Sequence, residues 1–209
     1  NAFNELLDVA AGVTPAPTVT VQDLQALGVT GVTDNNLAII LALIAETSDD
    51  GSQISSPAAL QALVTQSLLG ASLNVIRDYG ESASNPAPTL TEYTNIGITT
   101  LNAAQVSGFN TFIGPLSVEA TNTISEVSSL TQLYLSVLST AAGQVGSPAL
   151  TAASLASLGI TGVTTDNLAA ILAAIAASAD NGSGVDTRAE LQALVTSAVS
   201  AFTAAITEI

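Results

Sequence analysis

The phrase "LGVTGVTDNNLAIILALIA" at Leu27–Ala45 returns as "LGITGVTTDNLAAILAAIA" at Leu158–Ala176, 131 positions later. Sliding the chain by 131 lays Pro17–Leu69 on Pro148–Ser200 without a gap, and 27 of these 53 positions are identical. A register that survives a Gly-rich link marks an internal duplication. Such a chain folds as neighbouring copies of one supersecondary unit. A diverged copy lies between the two, in "PTLTEYTNIGITTLNAAQVSGF" at Pro88–Phe109. It places Ile96-Gly97-Ile98-Thr99 on Leu27-Gly28-Val29-Thr30, and Val106, Phe109 and Ile113 near the places of Leu37, Ile40 and Ile44. Offsets of 69 and 62 give a unit of roughly 60 to 70 residues.

Each unit reads as three helices. Thr20 with Asp23, and Thr89 with Glu92, have capping-box spacing before a short apolar stretch. Gly28, Gly97 and Gly159 follow the last Leu or Ile of that stretch, where a glycine of positive φ ends a helix. Thr33 or Asp34, and Thr164 or Thr165, are placed to cap a second helix. Leu37, Ile40, Leu41 and Ile44 then recur at i, i+3, i+4 and i+7, as do Leu168, Ile171, Leu172 and Ile175. A third helix opens at Ser56-Pro57, at Thr187 with Glu190, and at Thr123 with Glu126. In the first copy its apolar pattern runs on to Tyr79, far enough to join one unit to the next.

The expected fold is therefore all-α, with tandem three-helix repeat units forming an elongated helical array. Residues 1–14 are expected to be the tail helix of a preceding unit, 15–85 a first repeat, 86–145 a degenerate second and 146–209 a third. The pattern starts and stops in mid-unit, which points to a segment of a longer array. The structural joints are Gly28, Gly97, Gly159, Leu37, Ile40, Leu168 and Ile171. Leu73, Phe109, Phe112, Leu135, Phe202 and Ile206 have no obvious place in a small bundle. They are candidate assembly contacts, with neighbouring units or with other chains.

Composition narrows the chemistry. The chain has no His, Cys or Lys, so His triads, Cys–His pairs, Walker lysines and Schiff bases are excluded and no enzyme is expected. Seventeen acids against two arginines give a net charge of -15, which offers no footprint for nucleic acid or an anionic membrane. No apolar run is long enough to suggest membrane insertion. Arg77, beside Asp78 and Glu81, is expected to pair locally. No cofactor is expected, and calcium is the one ligand that the loops leave open. With Ala179 as position 1 of an EF-type loop, Asn181, Ser183, Gly184 and Glu190 fall on positions 3, 5, 6 and 12. Asp180, Asp186 and Glu190 are the candidate ligands. The competing reading is a solvated turn followed by a capping box.

The phrase "DLQALGVTGVTxxNLAxILALIA…LQALVT" resembles the helical repeats of large type I-secreted bacterial surface adhesins and biofilm-matrix proteins. The Gly-Ile-Thr links at 97–99 and 159–161 also resemble those of GA-type three-helix modules. The first resemblance implies an extracellular, non-enzymatic structural segment acting as extender or scaffold. Two alternatives stay open: an adhesin module that recognises a host or matrix protein, and a self-assembling filament or surface-lattice subunit. The partners expected are neighbouring repeats, other copies of the chain, or an extracellular protein.

Overall fold

In a computed structural model, residues 2–15, 17–47, 51–178 and 183–207 are described, and among them there is no strand. The chain order is α1 (Ala2–Ala10), α2 (Val21–Ala26), α3 (Leu37–Ala45), α4 (Pro57–Glu81), α5 (Leu90–Asn95), α6 (Ala103–Ile113), α7 (Ile124–Ala141), α8 (Ala152–Ser157), α9 (Leu168–Ala176) and α10 (Arg188–Thr207). Short 3-10 turns at Ser52–Ile54 and Val118–Ala120 complete it. The duplication is kept in the element order: α8, α9 and α10 begin 131 residues after α2, α3 and α4.

The middle copy departs where its sequence departs. Thr100 stands where the other copies have Gly31 and Gly162, both at positive φ (+82° and +85°). Asn102 then makes a capping box with Gln105 and starts α6 three residues ahead of the position matching Leu37.

The chain packs as two compact units, residues 1–71 and 72–209. Their boundary falls inside α4, not in the "SASNPAP" stretch near residue 85. The reason lies in where the two halves of α4 are buried. Leu60 and Val64 belong to the core of the first unit. In the second unit, Ser72 and Ile76 are buried, and Ser72 Oγ accepts a hydrogen bond from Asn95 Nδ2 of α5 at 3.0 Å. Sequence copy and packed unit are thus out of phase by half a helix. The stretch read as a preceding unit's tail, α1, packs onto α2 and α3 in the first unit and contributes Leu6 and Ala10 to its core.

That core is aliphatic, built from Leu24, Val29, Ile40, Ile44, Ile54 and their neighbours. The second unit adds an aromatic centre. Phe109 lies 5.4 Å from both Tyr93 and Tyr134, and Phe112 lies 5.4 Å from Tyr134, all in tilted pairs. Tilted rings at this spacing add to the area term. Tyr93 donates to Asn110 Oδ1 at 2.6 Å, and Asn110 Nδ2 donates to the Pro88 carbonyl at 2.8 Å. The buried polar atoms are satisfied, and burial pushes the Tyr93 hydroxyl's pKa up, so it stays protonated.

Phe109 and Phe112, read from sequence as candidate assembly contacts, are therefore core residues with no exposed surface. An aromatic pair among so few aromatics gathers where it excludes most water. By length and average composition, α4 and α10 reach the range of membrane-crossing helices although no unbroken apolar run does. Both place residues in the helical cores: Leu60, Val64 and Ile76 from α4, Leu191 and Val195 from α10.

Phe109→Ala is expected to destabilise the second unit by about 3–5 kcal/mol, the usual cost of emptying a Phe site. Urea unfolding checks it, and a change under about 1 kcal/mol would mean that the aromatic centre is not the keystone of that core.

Candidate functional site at the helix joints

The features that repeat most faithfully are the joints between short helices. In α2, the Gly28 N–H donates to the Gln25 carbonyl at 2.9 Å and the Val29 N–H to the Leu24 carbonyl at 3.1 Å. Gly28 has φ +83°. This is a Schellman motif, with its hydrophobic contact supplied by buried Val29 and Leu24. Gly97 (φ +87°), with Ile98 and Tyr93, and Gly159 (φ +75°), with Ile160 and Leu155, repeat it bond for bond. The three glycines chosen from sequence therefore take the positive φ that their role requires. Ile40 and Ile171 are fully buried behind them, and Leu37 and Leu168 are half-buried.

Capping boxes close the opposite ends of these helices at Thr20/Asp23, Thr89/Glu92 and Thr151/Ser154. The Thr20 side chain and backbone bonds hold the Asp23 carboxyl below its ordinary pKa. Thr123/Glu126 caps α7 in the same way. At α10, Thr187 N–H donates to Glu190 Oε2 at 3.1 Å, while at α4 the Ala59 N–H donates to Ser56 Oγ at 3.1 Å.

Two pairs of polar residues that the sequence reading passed over lock the joints. Gln61 Oε1 accepts from the Thr30 N–H at 2.7 Å, and Gln61 Nε2 donates to the Thr30 carbonyl at 3.3 Å. Gln192 does the same to Thr161, at 2.8 and 3.1 Å. A side-chain amide here imitates a strand partner for one residue of the link.

The second lock is Asn36. Its Oδ1 accepts from the Thr33 N–H at 2.8 Å, and its Nδ2 donates to the Gly31 carbonyl at 2.9 Å; Asn167 repeats both bonds. Thr33 or Asp34 was expected to cap α3, but the reach-back of Asn36 organises this start instead; at α9, Thr164 Oγ1 accepts from the Asn167 N–H at 3.3 Å. The signal was present in sequence: Gln61/Gln192 and Asn36/Asn167 are among the identical polar positions of the duplication.

The second unit carries one joint of its own. The Arg188 guanidinium donates to the Gly159 carbonyl from Nε at 3.2 Å and from Nη2 at 2.8 Å. The Arg188 N–H donates to Thr111 Oγ1 of α6 at 2.8 Å. A cation at the start of α10 is unfavourable to that helix dipole, but its charge lies on the carbonyl end of α8. The first unit has Pro57 at the matching position, with neither the N–H nor the charge.

Of the candidate metal ligands, Asp180 lies outside the described residues. The Glu190 carboxyl pushes the Asp186 carboxyl beside it up in pKa, while the Thr187 hydroxyl pulls that of Glu190 down. Glu190 is thus engaged as a cap. Among the described residues no group of three acids is gathered that could hold a metal ion. Arg77 pairs with Asp78 at 2.8 Å on the surface, as its spacing suggested. Of the remaining candidate assembly contacts, Leu73, Leu135 and Phe202 are half-buried and Ile206 is 55% exposed.

A groove of about 510 Å³ lies between α3 and α4, with Leu43 and Leu63 in its wall and Glu46 and Gln66 at its edge. Helices α3 and α9 differ only at Ile39/Ala170 and Leu43/Ala174, one turn apart on this side. Comparison with family models, with curated proteins and with solved structures gave no match to this chain.

Gly28→Ala is expected to cost about 1–2 kcal/mol through its positive φ alone, because a Cβ there meets nothing within 4 Å. Gly159→Ala is expected to cost more, since its Cβ would stand 2.9 Å from Arg188 Nε. Urea titrations in the wild-type and Arg188→Ala backgrounds test this, and equal costs at the two sites in the wild type would overturn it.

The Asp23 box carries a pH signature. Its folded-state pKa lies below the unfolded one, so its contribution is present above the unfolded value and lost as pH falls through the folded one. Asp23→Asn should therefore lower the melting temperature at pH 7 and leave it unchanged below the carboxylate range; an equal loss at both pH values would assign the residue a role unrelated to its charge.

Proposed function

We propose that the chain is a non-enzymatic structural segment of a secreted bacterial surface, matrix or filament protein, a tandem array of three-helix units acting as extender or scaffold. The observation that carries this reading is the recurrence of one joint. The Schellman glycine appears in all three sequence copies, and the Gln–Thr and Asn clamps recur at the same distance in the first and last. Recurrence of one joint suits a part whose task is to hold spacing. The absence of His, Cys and Lys agrees with a role that needs no nucleophile or general base at neutral pH. The acidic, cysteine-free composition suits an extracellular setting beside an anionic cell surface.

Small-angle scattering with sedimentation of the purified chain, with and without millimolar calcium, tests the proposal. A compact sphere of this length has a radius of gyration of about 17 Å. A monodisperse particle well above that value, unchanged by calcium, is the expected result. A value near the sphere would overturn the extender, and regular filaments would make the chain a self-assembling subunit instead.

A further inference from the structure

Helix α3 is apolar on every side: all nine residues of "LAIILALIA" are Leu, Ile or Ala. A helix of that kind needs cover all the way round. The first unit's core covers one side, through Ile40 and Ile44. On the other side Ile39 and Ala42 are exposed, and Ile39 leaves 51% of its surface in solvent. Ile39, Ala42, Leu43 and Glu46 stand at i, i+3, i+4 and i+7, and so form one face of α3. Ala59, Ala62, Leu63 and Gln66 repeat that spacing on α4. Between the two faces lies the groove of about 510 Å³. A neighbouring depression of about 360 Å³ shares Leu43, Glu46 and Gln66 with it.

The last copy replaces this lining with small residues. Ile39, Leu43, Glu46 and Gln66 correspond there to Ala170, Ala174, Ala177 and Ser197. With alanine at the two places on α9, that helix packs closely on α10, whereas Leu43 holds α3 further from α4. The side chains at a contact set the distance between two helix axes.

Charge decides what fits the groove. Residues 1–71 hold seven acids and neither Lys nor Arg. Glu46 follows the last turn of α3, where a carboxylate stands at the negative end of the helix dipole. It makes no ion pair among the described residues. A second copy would bring its own net charge of -15 to this place and be repelled. A helix with an apolar stripe flanked by Lys or Arg matches the groove's walls with the first and the acidic unit with the second. Helix α3 is about 13.5 Å long, and anchors at i, i+4 and i+7 span about 10 Å, so two turns of such a helix fill the groove.

We propose that the α3–α4 groove of the first unit is a docking site for a free, cationic amphipathic peptide helix. The apolar anchors of the peptide seat on Ile39, Leu43 and Leu63, and its cations face Glu46. The site lies wholly within the first unit and does not rest on the array reading.

The test uses the whole chain and a Leu/Lys peptide of about 15 residues, with Leu at helical spacing and one Trp. The chain has no Trp, so the peptide's fluorescence is read without background. Binding should saturate, and amide exchange should slow at residues 39–46 and 59–70 but not in the second unit. A peptide of the same composition with its Leu positions scrambled should bind at least about tenfold more weakly. The same loss is expected for the wild-type peptide on Ile39→Ala with Leu43→Ala, a pair that the last copy already carries in a folded helix. Ile39→Glu separates the explanations, because the position is exposed and the fold tolerates the change. Docking requires at least about tenfold weaker binding there, whereas general attraction to an acidic chain requires tighter binding. Equal affinity for the scrambled peptide, affinity unchanged or raised by Ile39→Glu, or a footprint outside the groove overturns the proposal. So does a chain that dimerises through residues 39–46 more tightly than it takes the peptide.

Discussion

A six-residue helix has more unsatisfied end groups than internal bonds, and this constraint governs the molecule. Helices α2, α5 and α8 are each six residues long, far below the length at which a helix holds itself together in water. They persist because both ends are closed by their own sequence: a capping box at the start and a Schellman glycine at the finish. Each motif also aims an apolar residue inward. The link that leaves the glycine is thereby fixed in direction.

The rest of the packing follows from a shortage of large and charged side chains. With 3% aromatic residues and 9% charged ones, neither big anchors nor ion-pair networks are available to orient the helices. In the first unit, Leu, Ile and Val fill the core, and amide side chains do the orienting: Gln61 on Thr30 and Asn36 on Gly31. The second unit gathers four of its six aromatics at one centre, where α5, α6 and α7 meet, and uses Arg188 to tie the start of α10 to α8 and α6. Loss of the "TGVT" link in the middle copy coincides with this centre. Without a second glycine of positive φ, α6 starts earlier under an Asn102/Gln105 box and brings Val106, Phe109 and Ile113 inward.

Much of this was legible beforehand because caps and glycines are local devices. Thr20/Asp23, Thr89/Glu92, Thr123/Glu126 and Thr187/Glu190 could be read from spacing, and Gly28, Gly97 and Gly159 from their place after an apolar stretch. Less legible were groups whose partners are distant in sequence. Gln61 reaches a backbone 31 residues away, and Gln192 repeats the distance. On a helix, each looks like an ordinary surface residue. Phe109 and Phe112 looked surplus for the same reason: the place that receives them is formed by Tyr93 and Tyr134, from helices before and after.

The sequence by itself determined the helices, their caps and the period at which they return, since these depend on contacts within a few residues. The phase of packing was decided only by the tertiary structure. The duplication starts again 131 residues on, but the two packed units divide within α4. Leu60 and Ile76 lie on one helix and in two cores. A helix presents an apolar face along its whole length, and nothing local marks where one core ends and the next begins. That point is set by which neighbours are there to exclude water from it.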